Sequence, residues 1–147
     1  MRKNITKFMA RKDKYHHAFR RALEKEGWTI TDDPFDFRVG GVDFEIDLGA
    51  EKIIGAEKEG QLIATEIKTF LEDSPVSAFH RATGQYDNYE RGLRYYQPER
   101  VLYLAVPIAI FTTFFQRPFV QWTLIEKKIK IVVYHPAKET IIQWINY

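Results

Sequence analysis

The fold is decided by residues 41–70, "GVDFEIDLGAEKIIGAEKEGQLIATEIKTF". The first part alternates apolar and acidic side chains, which predicts a half-buried strand. A bend containing glycine leads to "KIIGAEK", and a tight turn through Glu59 and Gly60 leads to an apolar third segment. The sequence therefore predicts an antiparallel meander. Its first strand has one apolar face and one acidic face, formed respectively by Val42, Phe44, Ile46 and Leu48 and by Asp43, Glu45 and Asp47.

The elements on either side of the meander carry their own start and stop signals. Residues 14–26 have helical apolar periodicity, with Asp13 as a candidate N-cap and Gly27 as the residue after the helix. "WTITDDP" predicts a short strand that ends at Pro34. Ser74 and Pro75 are typical of a helix start, and that helix should run to about Tyr96.

The remaining residues predict one more buried strand, a helical region and two final strands. "VLYLAV" is a continuous apolar run of strand length, as in a strand buried on both faces. Residues 108–127 are predicted to be helical with a break near Pro118. "IKIVVYH" and "TIIQWIN" follow as strands around His135 and Pro136. With no repeat or linker, the chain is predicted to be a single α/β domain over residues 1–147.

Composition indicates an intracellular globular protein. Of 147 residues 45% are apolar, and the longest apolar run, "VLYLAVPIAIF", is too short to cross a bilayer. The amino terminus lacks the apolar segment of an export signal. No cysteine is present, which excludes disulfides and thiolate metal sites. We expect a cytoplasmic protein.

Positive charge is concentrated at the amino terminus. Residues 1–25 hold nine Lys and Arg against two acids, although the net charge of the chain is only +2. A basic arm over residues 1–12 could follow a DNA phosphate backbone through Lys3, Lys7, Arg11 and Lys12. The alternative is an ordinary solvated helix.

Two charged residues close the apolar third segment of the meander. Glu66 and Lys68 are separated by one residue, so in a strand they share a face at about 7 Å. Asp47 could meet them from the neighbouring strand. Two converging carboxylates suit Mg²⁺ or Mn²⁺, which would polarise a phosphate, and Lys68 could offset the charge that develops there. The alternative is an ion pair within the sheet.

The helix after this strand adds two candidate residues. Gln85 and Tyr89 are four residues apart and therefore share a helix face. Gln85 could hydrogen-bond water or a phosphate oxygen, and Tyr89 could stack on a base or support the lysine. The alternative is that Gln85 is a surface amide and Tyr89 a core residue. Glu126-Lys127-Lys128 repeats the acid-x-Lys spacing and is interpreted as exposed helix.

These residues resemble the motif of PD-(D/E)xK nucleases. Asp47, Glu66-Ile67-Lys68 and the interval from Gln85 to Tyr89 are similar to the arrangement in RecB-type nucleases, although Ile46 stands where a proline is usual. The resemblance implies a restriction-endonuclease-like core with catalytic Asp47, Glu66, Lys68 and Gln85, and with Asp47 and Glu66 as ligands of Mg²⁺ or Mn²⁺. Glu57 is a fallback for the first ligand, and His16 is a further candidate.

A second resemblance covers nearly the whole chain from about Asp13. The blocks "KEGWTITDDP", "GQYDNY", "PERVLYLAVP" and "IIQWIN", together with residues 41–70, resemble the XisH family of fdxN element excision controlling factors of cyanobacteria. The resemblance implies a role beside a site-specific recombinase that excises a DNA element during heterocyst differentiation. It also implies an XisI-type companion protein and DNA as a further partner.

Three functions remain open from the sequence. The chain could be a Mg²⁺-dependent deoxyribonuclease, since a binding module has no need of converging carboxylates. It could be a non-catalytic DNA-binding accessory factor, since recombination chemistry belongs to the recombinase. It could also be a defence or toxin-like nuclease restrained by an XisI-type partner. The sequence leaves the oligomeric state, monomer or homodimer, undecided.

Overall fold

The computed structural model describes residues 2–53, 60–71 and 74–147, with side chains from residue 13 onward in the first helix. Helix α1 spans Arg2–Lys25, so it begins well before Asp13. The prediction of Asp13 as the N-cap was wrong, and the backbone of residues 2–12, predicted to be an arm, continues this helix. Gly27 follows the helix with φ of +96°, as predicted for a residue that requires left-handed backbone.

Among the described residues, five strands lie between α1 and the next helix, where the sequence predicted four. They are β1 (Thr29–Asp32), β2 (Phe35–Val39), β3 (Val42–Ile46), β4 (Leu48–Lys52) and β5 (Gln61–Ile67). The pairing predicted for the first strand of the meander was wrong, because β3 pairs with β2 in a separate two-stranded sheet, while β4 pairs antiparallel with β5. Residues 54–58 of the predicted second strand lie outside the described residues. The physical reason is the turn at Gly40 and Gly41, where both glycines have positive φ, which closes β2 directly onto β3.

The later elements agree with the sequence predictions. Helix α2 spans Pro75–Tyr96, and the Ser74 hydroxyl accepts a hydrogen bond from the Ser77 nitrogen at its start. Strand β6 is Val101–Pro107. The predicted broken helix is α3 (Ile108–Phe111), a 3₁₀ turn (Phe114–Gln116) and α4 (Pro118–Glu126), followed by β7 (Ile131–His135) and β8 (Thr140–Ile145).

Six strands form one mixed sheet in the order β1-β4-β5-β6-β7-β8. Strand β5 is antiparallel to β4 and parallel to β6, and β7 is parallel to β6. The outer strands β1 and β8 are antiparallel to their neighbours. The molecule is thus a mixed α/β fold whose central sheet is flanked by helices. Among the described residues, no helix is both long and apolar enough to span a bilayer.

Each face of the sheet carries its own apolar core. Phe19 and Leu23 of α1 pack with Ile63 and Ile67 on one face. On the other face, Ala64 packs with residues of α2, α4 and the β2–β3 hairpin. Since side chains alternate along a strand, Glu66 projects from β5 on the same side as Ala64. The charged end of β5 therefore opens toward α2 and the hairpin, where the candidate site is found.

Candidate active site

Asp47 is the one residue between β3 and β4, at the point where the chain passes from the hairpin into the six-stranded sheet. Its backbone nitrogen donates a hydrogen bond to Glu66 Oε1 at 3.1 Å. Its carboxylate oxygen Oδ2 accepts one from the Ile67 nitrogen at 2.8 Å. These two reciprocal bonds fix the Asp47 side chain against the end of β5.

Lys68 completes this cluster immediately after β5. Its backbone nitrogen donates to the carbonyl oxygen of Ala105, so the chain remains in register with β6 beyond the last strand residue. Its Nζ atom lies 3.6 Å from Glu66 Oε2, within ion-pair range but beyond a good hydrogen bond. The structure therefore brings Asp47, Glu66 and Lys68 together, at strand ends as the sequence predicted.

Glu66 is the most strongly perturbed acid in the described part of the chain. Its side chain is 8% exposed, and its pKa is raised from 4.5 to about 8. Burial is the largest cause, followed by the negative charge of Asp47 and a hydrogen bond between the two carboxyl groups. Lys68 acts in the opposite direction, but its attraction is outweighed. Burial beside Asp47 therefore favours the protonated form of Glu66, and a cation bound at the pair would favour the ionised form.

Tyr89 lies next to the two carboxyl groups. The pKa of its phenol is raised to about 12, first by burial and then by the charges of Glu66, Asp47 and Glu45. Its ring packs edge-on against Phe44 of the hairpin, with the ring centroids 6.2 Å apart. Tyr89 therefore packs in the core beside the site, and this contact anchors the hairpin on α2.

Gln85 lies one helical turn before Tyr89 on α2. Its Oε1 atom is buried and has no hydrogen-bond partner among the described residues. A buried polar atom without a partner is uncommon in folded proteins, so its acceptor capacity is left for a ligand or water. The alternative that Gln85 is a surface amide does not fit this burial.

The candidate His16 has a different partner. The His16 ring bonds to Asp33 at 2.9 Å, and Arg20 binds the second oxygen of the same carboxylate at 2.6 Å. His16 is thus engaged with Asp33 beside the start of β2. Glu57 and the side chains of the four basic residues predicted to contact DNA lie outside the described residues. Those four residues are Lys3, Lys7, Arg11 and Lys12.

Two residues near the site were missed by sequence reasoning. Glu45 acts electrostatically on Tyr89 and stands two residues before Asp47, on the acidic face that the alternation of β3 had already indicated. Tyr134 is buried, and its hydroxyl has no hydrogen-bond partner in the part of the chain that the structure describes; its pKa is raised by burial and then by Tyr15 and Asp47. Nothing in its local sequence, an apolar strand, distinguishes Tyr134 from a core residue.

Within the described ranges, no three His, Asp or Glu side chains converge tightly enough to hold a metal ion alone. A cation at this place would have the carboxylate oxygens of Asp47 and Glu66 as its protein ligands, and waters would complete its coordination. Mg²⁺ and Mn²⁺ accept such a sparse set, because they retain several waters.

Comparison with known proteins identifies the family. The family model described as XisH protein matches residues 9–142. The chain belongs to the XisH family. A solved XisH family protein from Nostoc punctiforme PCC 73102 is 46% identical, with a TM-score of 0.83 over 90% of this chain and 99% of that chain.

A second solved relative of the XisH family carries a functional name. It is an fdxN element excision controlling factor protein from Anabaena variabilis, 46% identical, with a TM-score of 0.82. The alignment covers 91% of this chain and 99% of that protein. No curated protein matches the chain.

Proposed function

We propose that this XisH family member is a divalent-metal-dependent deoxyribonuclease of the PD-(D/E)xK type, built on a restriction-endonuclease-like core. The observation that supports this most directly is the reciprocal bonding of Asp47 with the end of β5. This bonding holds two carboxyl groups close together although they repel each other when both are ionised, and the repulsion contributes to the raised pKa of Glu66. A purely structural site gains nothing from two acids placed together in a largely buried position.

Asp47 and Glu66 fit a hard cation. Their donor atoms are oxygens, and burial together with the charge of Asp47 raises the pKa of Glu66, an unfavourable arrangement that a cation would relieve. When bound, Mg²⁺ or Mn²⁺ would supply Lewis-acid polarisation of a phosphate oxygen and a more acidic water.

The remaining chemistry belongs to the chain itself. Lys68 lies on the Glu66 side of the pair, where its ammonium group can offset negative charge developing on a phosphate. Gln85 can orient a water through Oε1. Asp47 is held by backbone hydrogen bonds, so it needs little reorganisation when substrate arrives.

The biological role follows from the relative in Anabaena variabilis, whose name is fdxN element excision controlling factor protein. We infer that the present chain serves the excision of a DNA element by a site-specific recombinase, together with an XisI-type companion. A cytoplasmic location follows from a DNA substrate.

A non-catalytic accessory factor is the second candidate. It is favoured by one observation, that the described residues provide no set of three His, Asp or Glu ligands for a metal. In that case the carboxyl pair keeps its proton, and the fold acts by binding DNA and presenting it to the recombinase.

Cleavage of plasmid DNA separates these two candidates. In the presence of Mg²⁺ or Mn²⁺, the purified chain should cleave supercoiled plasmid DNA. Lys68→Ala should abolish this cleavage, while its DNA affinity stays within a few-fold of the wild-type affinity. Lys128→Ala is the matched control, because Lys128 ends the other acid-x-Lys triplet and is exposed. If the wild-type protein binds DNA but cleaves none with any divalent metal, alone or with its companion, the nuclease proposal is wrong and the accessory-factor proposal is retained.

A further inference from the structure

Helix α4 is apolar on both of its sides. Val120 and Leu124 are buried, with exposures of 2% and 0%, and they attach the helix to the core. Phe119, Trp122 and Ile125 point outward and are 58%, 61% and 55% exposed. We call these three side chains the α4 outer face. Large apolar residues grouped on one exposed helix face are typical of an interaction surface.

The polar side chains of α4 do not serve this face. Gln121 donates from Nε2 to the Phe115 carbonyl oxygen at 2.6 Å. Thr123 donates from Oγ1 to the Phe119 carbonyl oxygen at 2.9 Å. Both hydrogen-bonding groups are thus used within the local backbone. The α4 outer face therefore offers a partner apolar contact alone, apart from the charges at its two ends.

The two ends of α4 carry opposite charges. Arg117 immediately precedes the helix, and Glu126 is its last residue. Both are exposed, and neither has an ion-pair partner in the described part of the chain. The Arg117 guanidinium lies 5.1 Å from the centre of the Phe114 ring. The basic residues that follow, Lys127 and Lys128, line a groove shared with α2.

We propose that the α4 outer face binds the same face of a second copy of this chain, with the two α4 helices antiparallel. A two-fold axis near Trp122 then brings Phe119 to Ile125 of the partner subunit, and Arg117 to Glu126 of the partner subunit. This pairing satisfies both charged ends at once, as a self-complementary interface requires. An anionic membrane surface would attract Arg117 but repel Glu126, so charge favours the second copy.

The size of this contact sets the expected affinity. Helix α4 has nine residues, or about 13 Å of helix axis, and presents three large side chains. The surface area that two such faces bury against each other lies at the small end of the range for specific protein–protein interfaces. The dimer should therefore form and dissociate with concentration. This proposal concerns α4 and is independent of the carboxyl pair of the candidate active site.

Sedimentation equilibrium of the full chain over a wide concentration range tests the proposal. The wild type should move from monomer to dimer, and Trp122→Glu should remain monomeric. Tyr95→Glu is the matched control, because Tyr95 is a 78% exposed aromatic on α2, and it should dimerise like the wild type. A wild type that stays monomeric throughout, or a Trp122→Glu protein that dimerises normally, would overturn the proposal.

Charge exchange tests the antiparallel arrangement. Arg117→Glu and Glu126→Arg should each weaken dimerisation by about five-fold, since each places like charges at both ends of the contact. Mixing the two variants should restore wild-type affinity, because every pair is then opposite in sign. Circular dichroism checks that each variant is folded. Single variants without effect, or a mixture without recovery, would contradict this pairing.

Discussion

The backbone nitrogen of Asp47 donates to Glu66 Oε1 at 3.1 Å, while Lys68 Nζ lies 3.6 Å from the other carboxyl oxygen of Glu66. Burial, and after it the negative charge of Asp47, raises the pKa of Glu66 and favours its protonated form. Protonation of Glu66 is therefore the quantity through which pH, metal binding and stability are linked in this protein.

Stability should fall as pH rises through the Glu66 transition. The pKa of Glu66 in the folded state, about 8, lies above the ordinary value of 4.5, so the folded state binds more protons between these pH values, and its extra stability is lost as the pH rises to about 8. Glu66→Gln removes this dependence. The difference in unfolding free energy between wild type and variant should change by a few kcal/mol, at about 1.4 kcal/mol per pKa unit, between pH 5 and 9 in urea denaturation. A pH-independent difference would contradict the raised pKa of Glu66.

Divalent cations should stabilise the folded protein, and more so at alkaline pH. A ligand that binds only the folded state raises the melting temperature, and its affinity increases when it no longer competes with the proton on Glu66. Calorimetry with Mn²⁺ should show a larger rise at pH 8 than at pH 6. Glu66→Gln should lose most of the rise and Glu126→Gln, in the exposed triplet, should keep it. Equal shifts in all three proteins would place the ion elsewhere.

The basic residues of the first helix should govern DNA affinity. Neutralising Lys3, Lys7, Arg11 and Lys12 together removes four cations that could release counterions from DNA. The slope of log affinity against log salt should then become shallower by up to about 3.6, at about 0.9 per cation, measured by fluorescence anisotropy on duplex DNA. Cleavage at saturating protein should persist. An unchanged slope would show that DNA contacts another surface.

The hydroxyl of Tyr86 should stabilise the fold by joining β6 to the residue that precedes β7. It donates to the Leu102 carbonyl oxygen and accepts from the Lys130 nitrogen, both at 3.1 Å. Tyr86→Phe leaves two buried backbone groups without their partner, which should cost about 1–3 kcal/mol in urea unfolding. Tyr95→Phe, at an exposed tyrosine on the same helix, should cost close to nothing. Equal costs would mean that water replaces the Tyr86 hydroxyl.

Local signals in the sequence were sufficient for most elements. Ser74 and Pro75 fixed the start of α2, Gly27 the end of α1 and Pro118 the break before α4. What failed was strand pairing. A strand that alternates like β3 can pair with either neighbour, and the turn at Gly40 and Gly41, together with the non-local contact of Phe44 with α2, decides for the hairpin.

The site was predictable in its residues but not in its electrostatics. Asp47, Glu66 and Lys68 could be selected from strand ends and alternation. The raised pKa of Glu66 depends on tertiary burial, which no spacing reveals. The partner of His16 could not be predicted, because Asp33 is seventeen residues away and the packing of α1 against β1 brings the two side chains together.

The short connection at Asp47 couples the position of the β2–β3 hairpin to the candidate site. A single residue separates the hairpin from the main sheet, and the hairpin rests on α2 where the Phe44 ring lies so close to Gly92 that a Cβ there would approach it to 3.1 Å. Because the connection to the main sheet is one residue long and the hairpin packs closely on α2, tilting the hairpin would displace the Asp47 carboxylate from the end of β5. A molecule that binds the β2–β3 hairpin and changes its tilt would therefore also change the position of the Asp47 carboxylate relative to Glu66.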